Sequence, residues 1–439
     1  MLILPRIKPI AFLLLVSIAS MWPSVVDAQA PPNQNENRPG GRRGPQAGQQ
    51  QAGQRGGPKG SGGSGLGGYE KPPSPANDVP KRAYDLILGR PTDKSITIGV
   101  MPFENGQGRI HYKSQQKGAE ASSAADGQST PWAKLQKDIP LTIELDDLRT
   151  DTMYSYTCEY QEEGVAKSHV TESYGFHTQR ALGSSFVFTV TSDSHLDENS
   201  SGDVYLRTLA NVLADQSDFH LDLGDTFMTG KYKQPSMSYG HYLSQRYYLG
   251  TACHSVPFFL VLGNHDGESP ARGDTLWATK TRKALIPNPY GNHFYKANPD
   301  TLGDLGTIDD YFAWEWGDAL FIALDPYRYT LERPRRGETN QRGNWFWTLG
   351  EQQYRWLQKT LQESRAKYKF VFIHHLVGGA DQNLPYHRLC VVQEVGIAGE
   401  RGGPQTTSRS YQGVHTGPRD PRLSVRTVEV VIATSNLQG

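Results

Sequence analysis

Four apolar runs in this 439-residue chain end in side chains that could hold cations or move protons. FVFTVTSDSH delivers Asp193 and His195, and LDLGD delivers Asp225. PFFLVLGNHD delivers Asn264, His265 and Asp266, and KFVFIHH delivers His374 and His375. Each group alone is a weak signal, because Gly-Asp is a common turn and Asn before His can cap a helix. Their repetition behind four strand-like runs is stronger, since ligands collect at the carboxyl ends of strands in α/β sheets. Carboxylate and amide oxygens mixed with imidazole nitrogens suit Mn, Fe or Zn better than Ca. A second Gly-Asn-His, at Asn292 and His293, follows Pro287-Asn288-Pro289 and reads as incidental loop.

These runs need a scaffold, and after Ser184 strands and helices alternate. A helix is expected over 204–214, with Leu206, Leu209 and Leu213 on one face, and another around YGHYLSQRYYLG. DYFAWEWGDALFIALD reads as paired strands, and LGEQQYRWLQKTLQESRAKYKFVFIHH as a helix feeding a buried strand. The organisation is α/β. From Ala83 to about Thr178 the pattern is different: short runs such as YDLILG, SITIGV and MYSYTCEYQ alternate with period two and are separated by turns. That spacing predicts a small all-β sandwich over 81–180, with Tyr154, Tyr156, Cys158 and Tyr160 on one side of a strand. Its histidines, His111, His169 and His177, lie on separate segments and read as surface or core.

Residues 1–30 read as a signal peptide, with Arg6 and Lys8 before an apolar stretch and a cut expected after Ala30. A secreted or periplasmic location follows, with no membrane span after cleavage. Residues 31–80 are rich in Gly, Gln and Pro and are expected to form a disordered linker. Balanced totals of 45 basic and 45 acidic residues point to no nucleic-acid partner. Cys158, Cys253 and Cys390 allow at most one internal bridge and have no metal-binding spacing.

In their order, the four groups resemble the calcineurin-like metallophosphoesterase superfamily, whose blocks run Asp-x-His, Gly-Asp, Gly-Asn-His-Asp/Glu and a His after an apolar strand. The preceding sandwich resembles a fibronectin III-like domain, on the Leu148 to Tyr154 pattern, as in purple acid phosphatases and secreted alkaline phosphodiesterases. The resemblance implies an α/β (α+β) four-layer sandwich over 184–388 and hydrolysis of a phosphate ester, mono- or diester. It implies two divalent or trivalent metal ions (Fe, Mn or Zn) with a bridging hydroxide; such ions sit about 4 Å apart and clamp a phosphate. Asp193 and His195 would hold the first ion, Asn264 and His374 the second, and Asp225 would bridge both. His265 would donate a proton to the leaving alkoxide or stabilise charge on the phosphoryl oxygens, and Asp266 would orient its ring. The chain departs from the purple enzymes, with His195 where they have Gly and Met228 where they have Tyr, so a general phosphoesterase is the expectation.

The family's fifth block, Gly-His-x-His, has no match after His375, where only His387 and His415 remain. Residues 389–439 form an atypical tail without Trp or Phe, in which VEVVIAT reads as one strand. Two accounts stay open: a shifted reading frame, or a divergent ending that leaves an impaired member acting as a binding protein. A cell-surface adhesion protein would account for the sandwich and linker but not for the four strand-end groups. Arg272, Lys280, Arg282, Lys283 and the loop ERPRRGETNQRG read either as solvated charge or as phosphate ligands.

Overall fold

The computed structural model describes residues 68–115, 127–270, 274–331 and 347–374, and the backbone of 428–432. The expected signal peptide, His375, His387, Cys390, Arg272, His415 and the loop ERPRRGETNQRG lie outside the described residues.

Nine strands build the first region: β1 (Tyr84–Gly89), β2 (Ile96–Pro102), β3 (Gly106–Ser114), β4 (Gln128–Ser129), β5 (Ala133–Leu135), β6 (Leu141–Leu145), β7 (Met153–Glu162), β8 (His169–Val170) and β9 (Tyr174–His177). One sheet runs β1-β2-β6; the other runs β4-β3-β7-β8, with β5 joined to β3 and β9 to β7. Period-two alternation sends Leu86, Leu88, Ile98 and Val100 inward against Ile110, Tyr154, Tyr156 and Cys158. Cys158 and Cys253 are free and buried.

The second region contains β10 (Phe186–Thr191), α1 (Gly202–Ala214), β11 (Phe219–Asp222), α2 (Tyr239–Cys253), β12 (Phe258–Leu260) and α3 (Thr275–Leu285). It continues with β13 (Lys296–Ala297), β14 (Phe312–Trp316), β15 (Ala319–Ala323), α4 (Gly350–Glu363), β16 (Tyr368–Phe372) and β17 (Val428–Ile432). Two sheets form, ordered β12-β11-β10-β17 and β13-β14-β15-β16. β10, β11 and β12 pair in parallel, so their carboxyl ends open on the same edge. β17 lies antiparallel to β10, in the stretch of the tail expected to be a strand.

Side-chain alternation stacks these sheets into four layers. Phe186, Phe188, Phe219 and Phe259 from the first sheet meet Trp314, Trp316, Phe321 and Phe370 from the second. Phe188 sits edge-on to Phe321 at 5.1 Å, an arrangement that favours the ring quadrupoles. The opposite faces take helices: Phe258, Leu260 and Leu262 pack with residues of α1 and α2, while Leu320 and Ile322 pack with Trp356 and Leu357 of α4. α1 begins where Ser201 Oγ accepts from the Val204 N–H, two residues before the expected start. This aromatic interior holds the strands in one register, and hence the loops at their ends.

The sandwich is docked firmly on this scaffold. Ile87 and Met101 face away from the sandwich core and join the cluster around α2, which is why β1 is buried on both faces. Arg246 of α2 is fully buried; its Nε donates to Asp85 Oδ1 at 2.7 Å and its Nη2 to Gly99 O at 3.0 Å. Gly89 has to be glycine, because a Cβ there would collide with Pro287. Residues 68–80, expected as the end of a disordered linker, are instead packed. Ala76 is buried in the α2 cluster, and Tyr69 exchanges main-chain hydrogen bonds with Lys231 and Lys233. Composition misplaced this boundary because a few anchors, Tyr69 and Ala76 among them, suffice to bind a Pro-rich strap.

Removing one partner of a buried ion pair strands the other, at a cost of about 3–5 kcal/mol. Asp85→Ala should therefore lower the unfolding free energy by about that amount in urea titration, and an unchanged midpoint would show that Arg246 does not depend on it.

Candidate metal centre

The site forms where the loops after β10, β11 and β12 meet. Residues of these loops have unusual backbone: Asp193, His195, Leu196, Asp225 and Met228 all have φ between 51° and 58°. Left-handed conformations in such residues cost about 1–3 kcal/mol each and persist only where surroundings impose them. The loops impose them on one another, since Asp193 N donates to Gly224 O at 2.9 Å and His195 N to Asp225 O at 3.2 Å. Gly224 and Gly263 permit the close approach: a Cβ on Gly263 would run into the main chain and carboxylate of Asp225.

A single carboxylate organises this junction. Asp266 Oδ1 accepts from the N–H groups of Thr226 and Phe227, both at 2.8 Å. Its Oδ2 accepts from Asp225 N at 3.0 Å and Gly263 N at 2.7 Å. Four donors match the lone-pair capacity of a carboxylate. Asp266, expected to orient the His265 ring, therefore serves as the knot of the loops. Burial and the Asp225 charge push its pKa upward, against the N–H groups of Phe227 and Gly263.

Within that frame Asp193, His195 and Asp225 each aim a potential ligand atom at one point, the atoms all lying within 4.8 Å of one another. His195 Nε2 is 3.3 Å from Asp193 Oδ1 and 3.6 Å from Asp225 Oδ2. His374, at the end of β16, brings its Nε2 to 3.6 Å from the same Asp225 oxygen. Its Nδ1 donates to Leu223 O at 2.8 Å, and because a carbonyl can only accept, this places a proton on Nδ1 and turns Nε2 toward Asp225. Asn264 and His265 are half-buried in the turn after β12. The His265 N–H donates to Asp225 Oδ1 at 2.8 Å, and its ring lies 6.4 Å from that of His195.

The electrostatics suit a cation. Burial lowers the His195 pKa, but Asp193, Asp197 and Asp225 outweigh it and push it up to about 11. Burial opposes the Asp225 anion, yet His374, His195 and His265 hold its pKa well below the usual carboxylate range. His195 Nε2 and Asp225 Oδ2 are both buried without a hydrogen-bond partner. Buried polar atoms seldom go unsatisfied, and a metal ion between these two would satisfy both. The donor set therefore fits a borderline cation.

Sequence reasoning missed the residues behind the candidate ligands. Asp197 stands two positions after His195, a spacing that could have flagged it, and its Oδ2 is 3.4 Å from His195 Nδ1. Ser192 Oγ donates to Asp193 Oδ2 at 2.8 Å. Tyr327, buried, lies with its ring 6.0 Å from that of His374. Arg282, weighed as a phosphate ligand, is buried and bound to Glu268, Asp309 O and Ile308 O, so its charge belongs to the interior. Lys283 is likewise paired with Asp309 at 2.9 Å. Asn292 and His293 are exposed, and Asn292 Oδ1 only closes its own turn by accepting from Phe294 N and Tyr295 N.

Two facing sheets, helices outside and a carboxylate–imidazole cluster at the strand ends define an α+β metallophosphoesterase scaffold. Residues 186–397 match the family model of the calcineurin-like phosphoesterases. Among solved structures it is similar to the purple acid phosphatase PPD1 from yellow lupin (Lupinus luteus) seeds, at 12% identity and TM-score 0.45, over 67% of this chain and 51% of that one. It is also similar to PhoD, at 15% identity and TM-score 0.45, over 68% of this chain and 64% of that one. The chain thus spans about half the length of the first and under two thirds of the second. The chicken CNTN1 FN1–FN3 domains match 23% of this chain and 31% of theirs, at 14% identity and TM-score 0.17. No curated protein matches the chain.

Asp266→Asn would turn an amide N–H₂ toward main-chain donors and leave buried N–H groups unsatisfied, at about 1–3 kcal/mol each. Expected is a loss of about 2–5 kcal/mol in unfolding free energy, measured by chemical denaturation, together with lower metal content in elemental analysis; wild-type values for both would remove Asp266 from the role of knot.

Proposed function

We propose that the chain is an exported, metal-dependent phosphoester hydrolase with a dinuclear centre built on Asp193, His195, Asp225, Asn264 and His374. The observation that carries this reading is the pair of buried, unsatisfied atoms His195 Nε2 and Asp225 Oδ2 inside a cluster of ligand atoms. The match of residues 186–397 to the calcineurin-like phosphoesterase model supports the phosphoester class. When bound, two such ions would clamp the phosphoryl oxygens and supply an activated water, with Fe, Mn or Zn as suitable metals.

The chain's own residues do the rest. His195 and His374 both lie 3.6 Å from Asp225 Oδ2, which supports a bridging role for Asp225. His265 is held by its main chain on Asp225 Oδ1 and is half-buried, so its ring can reach substrate and donate a proton to the leaving alkoxide. Export rests on the basic and apolar start of the sequence. Among the described residues no helix is long and apolar enough to cross a membrane. A second reading, a metal-loaded binding protein without turnover, is favoured by one observation: no Gly-His-x-His follows His375.

Dialysis against a chelator should abolish hydrolysis of p-nitrophenyl phosphate or bis-p-nitrophenyl phosphate, and Mn²⁺, Zn²⁺ or Fe²⁺ should restore it. Asp225→Asn should lower turnover by more than about 100-fold, beyond what loss of an outer partner gives, with circular dichroism unchanged. Turnover that survives both treatments rejects the hydrolase mechanism; stoichiometric metal with no turnover in the wild type selects the second reading.

A further inference from the structure

Behind His195 lies a second charged unit. Asp197 is fully buried, and both of its carboxylate oxygens are engaged. Oδ1 accepts from Asn199 N at 2.9 Å and Ser200 Oγ at 3.2 Å, bonds made within the turn that leads into α1. Oδ2 faces His195 Nδ1 at 3.4 Å and also takes the ammonium of Lys231. Lys231 follows Met228, whose left-handed backbone turns the chain after Asp225 back toward His195. Asp197 thus joins the loop after β10 to the loop after β11 from the side opposite the ligand cluster. The His195 main chain is held too, because His241 Nε2 donates to His195 O at 2.6 Å and Tyr232 Oη bonds His241 Nδ1 at 2.9 Å.

We propose that Asp197, held by Lys231, is a positioning residue that fixes the His195 ring with Nδ1 toward Asp197 and Nε2 toward Asp193 and Asp225. Both His195 nitrogens face carboxylates, but Asp197 is itself held from outside by Lys231, whereas Asp193 and Asp225 converge with Nε2 on one cluster. A cation bound in that cluster would take the place of the Nε2 proton, and Asp197 would keep the proton on Nδ1. His374 has a carbonyl in the same place, Leu223 O. The two imidazoles that approach Asp225 Oδ2 are therefore aimed by different outer acceptors, one charged and one neutral. The alternative is that Asp197 and Lys231 form an ion pair that serves stability alone. Lys231 retains 26% side-chain exposure and can reach water if Asp197 is removed, so a variant at Asp197 should still fold.

This inference rests on the metal-centre reading above, and the test separates the two. Mn²⁺ affinity is measured by titration calorimetry on the full chain, apo stability by thermal melting in excess chelator, and the visible spectrum on Co²⁺-loaded protein. Asp197→Ala is expected to weaken Mn²⁺ binding by about 10–100-fold and to shift the Co²⁺ bands. Asp197→Asn, whose amide oxygen still accepts from Nδ1–H, is expected to recover part of the affinity and the wild-type bands; it also serves if the alanine variant does not fold. Lys231→Met, which frees Asp197 to turn, should weaken binding in the same direction as Asp197→Ala. Wild-type Mn²⁺ affinity and spectrum in Asp197→Ala, or wild-type Mn²⁺ affinity in both Asp197→Asn and Lys231→Met if the alanine variant does not fold, with only the apo melting temperature lowered, would reduce the pair to a salt bridge and overturn the proposal. If the wild type itself binds no Mn²⁺, the metal-centre reading falls and this inference with it.

Discussion

The carboxylate of Asp266 gathers the main-chain N–H groups of Asp225, Thr226, Phe227 and Gly263, and the geometry of the site depends on it. Two loops that carry polar main chain into a buried space need acceptors for their donors. One side chain meets that need for both and pins them together. With the loops pinned, Asp225 can hold φ 58° and present Oδ2 to His195 and His374 while Oδ1 takes the N–H of His265. The ligand cluster is thus a consequence of backbone bonding as much as of the ligands themselves.

Aromatic packing provides the second level of support. Phe188, Phe219 and Phe321 form a tight group of rings between the sheets, and β10, β11, β15 and β16 all contribute to that layer. Asp193 and His374 follow strands on opposite sheets, so their separation is set by how these rings interlock. Close-packed interiors transmit such constraints with little slack.

Much of this was legible in the sequence. Period-two alternation marked the strands, and apolar runs ending in Asp or His marked the loops. VEVVIAT was readable as a strand because β-branched residues dominate it. What could not be read depended on partners distant in the chain. Asp266 looked like a companion of the adjacent His265, whereas three of its four donors lie about forty residues away. Arg282 looked like an exposed cation because composition does not reveal Glu268 across the fold. Residues 68–80 looked like linker because packing there rests on a few isolated anchors with no periodic pattern. Asp197 carried a local signal in its spacing from His195, but nothing in sequence predicts that Lys231 would close on it.

The junction with the sandwich has a kinematic consequence. The chain enters that region through Tyr69 and Ala76, both held on the phosphoesterase scaffold. It leaves through Gln179, which donates to Glu315 O at 2.9 Å, and Arg180, whose Nε is 2.6 Å from Asp218 Oδ1. Between entrance and exit, Asp85 grips Arg246 of α2. A body pinned at its two ends and at its middle has no free axis of rotation. The sandwich is a fixed wall beside the scaffold, and swinging it would require the strap, the exit and the buried ion pair to let go together.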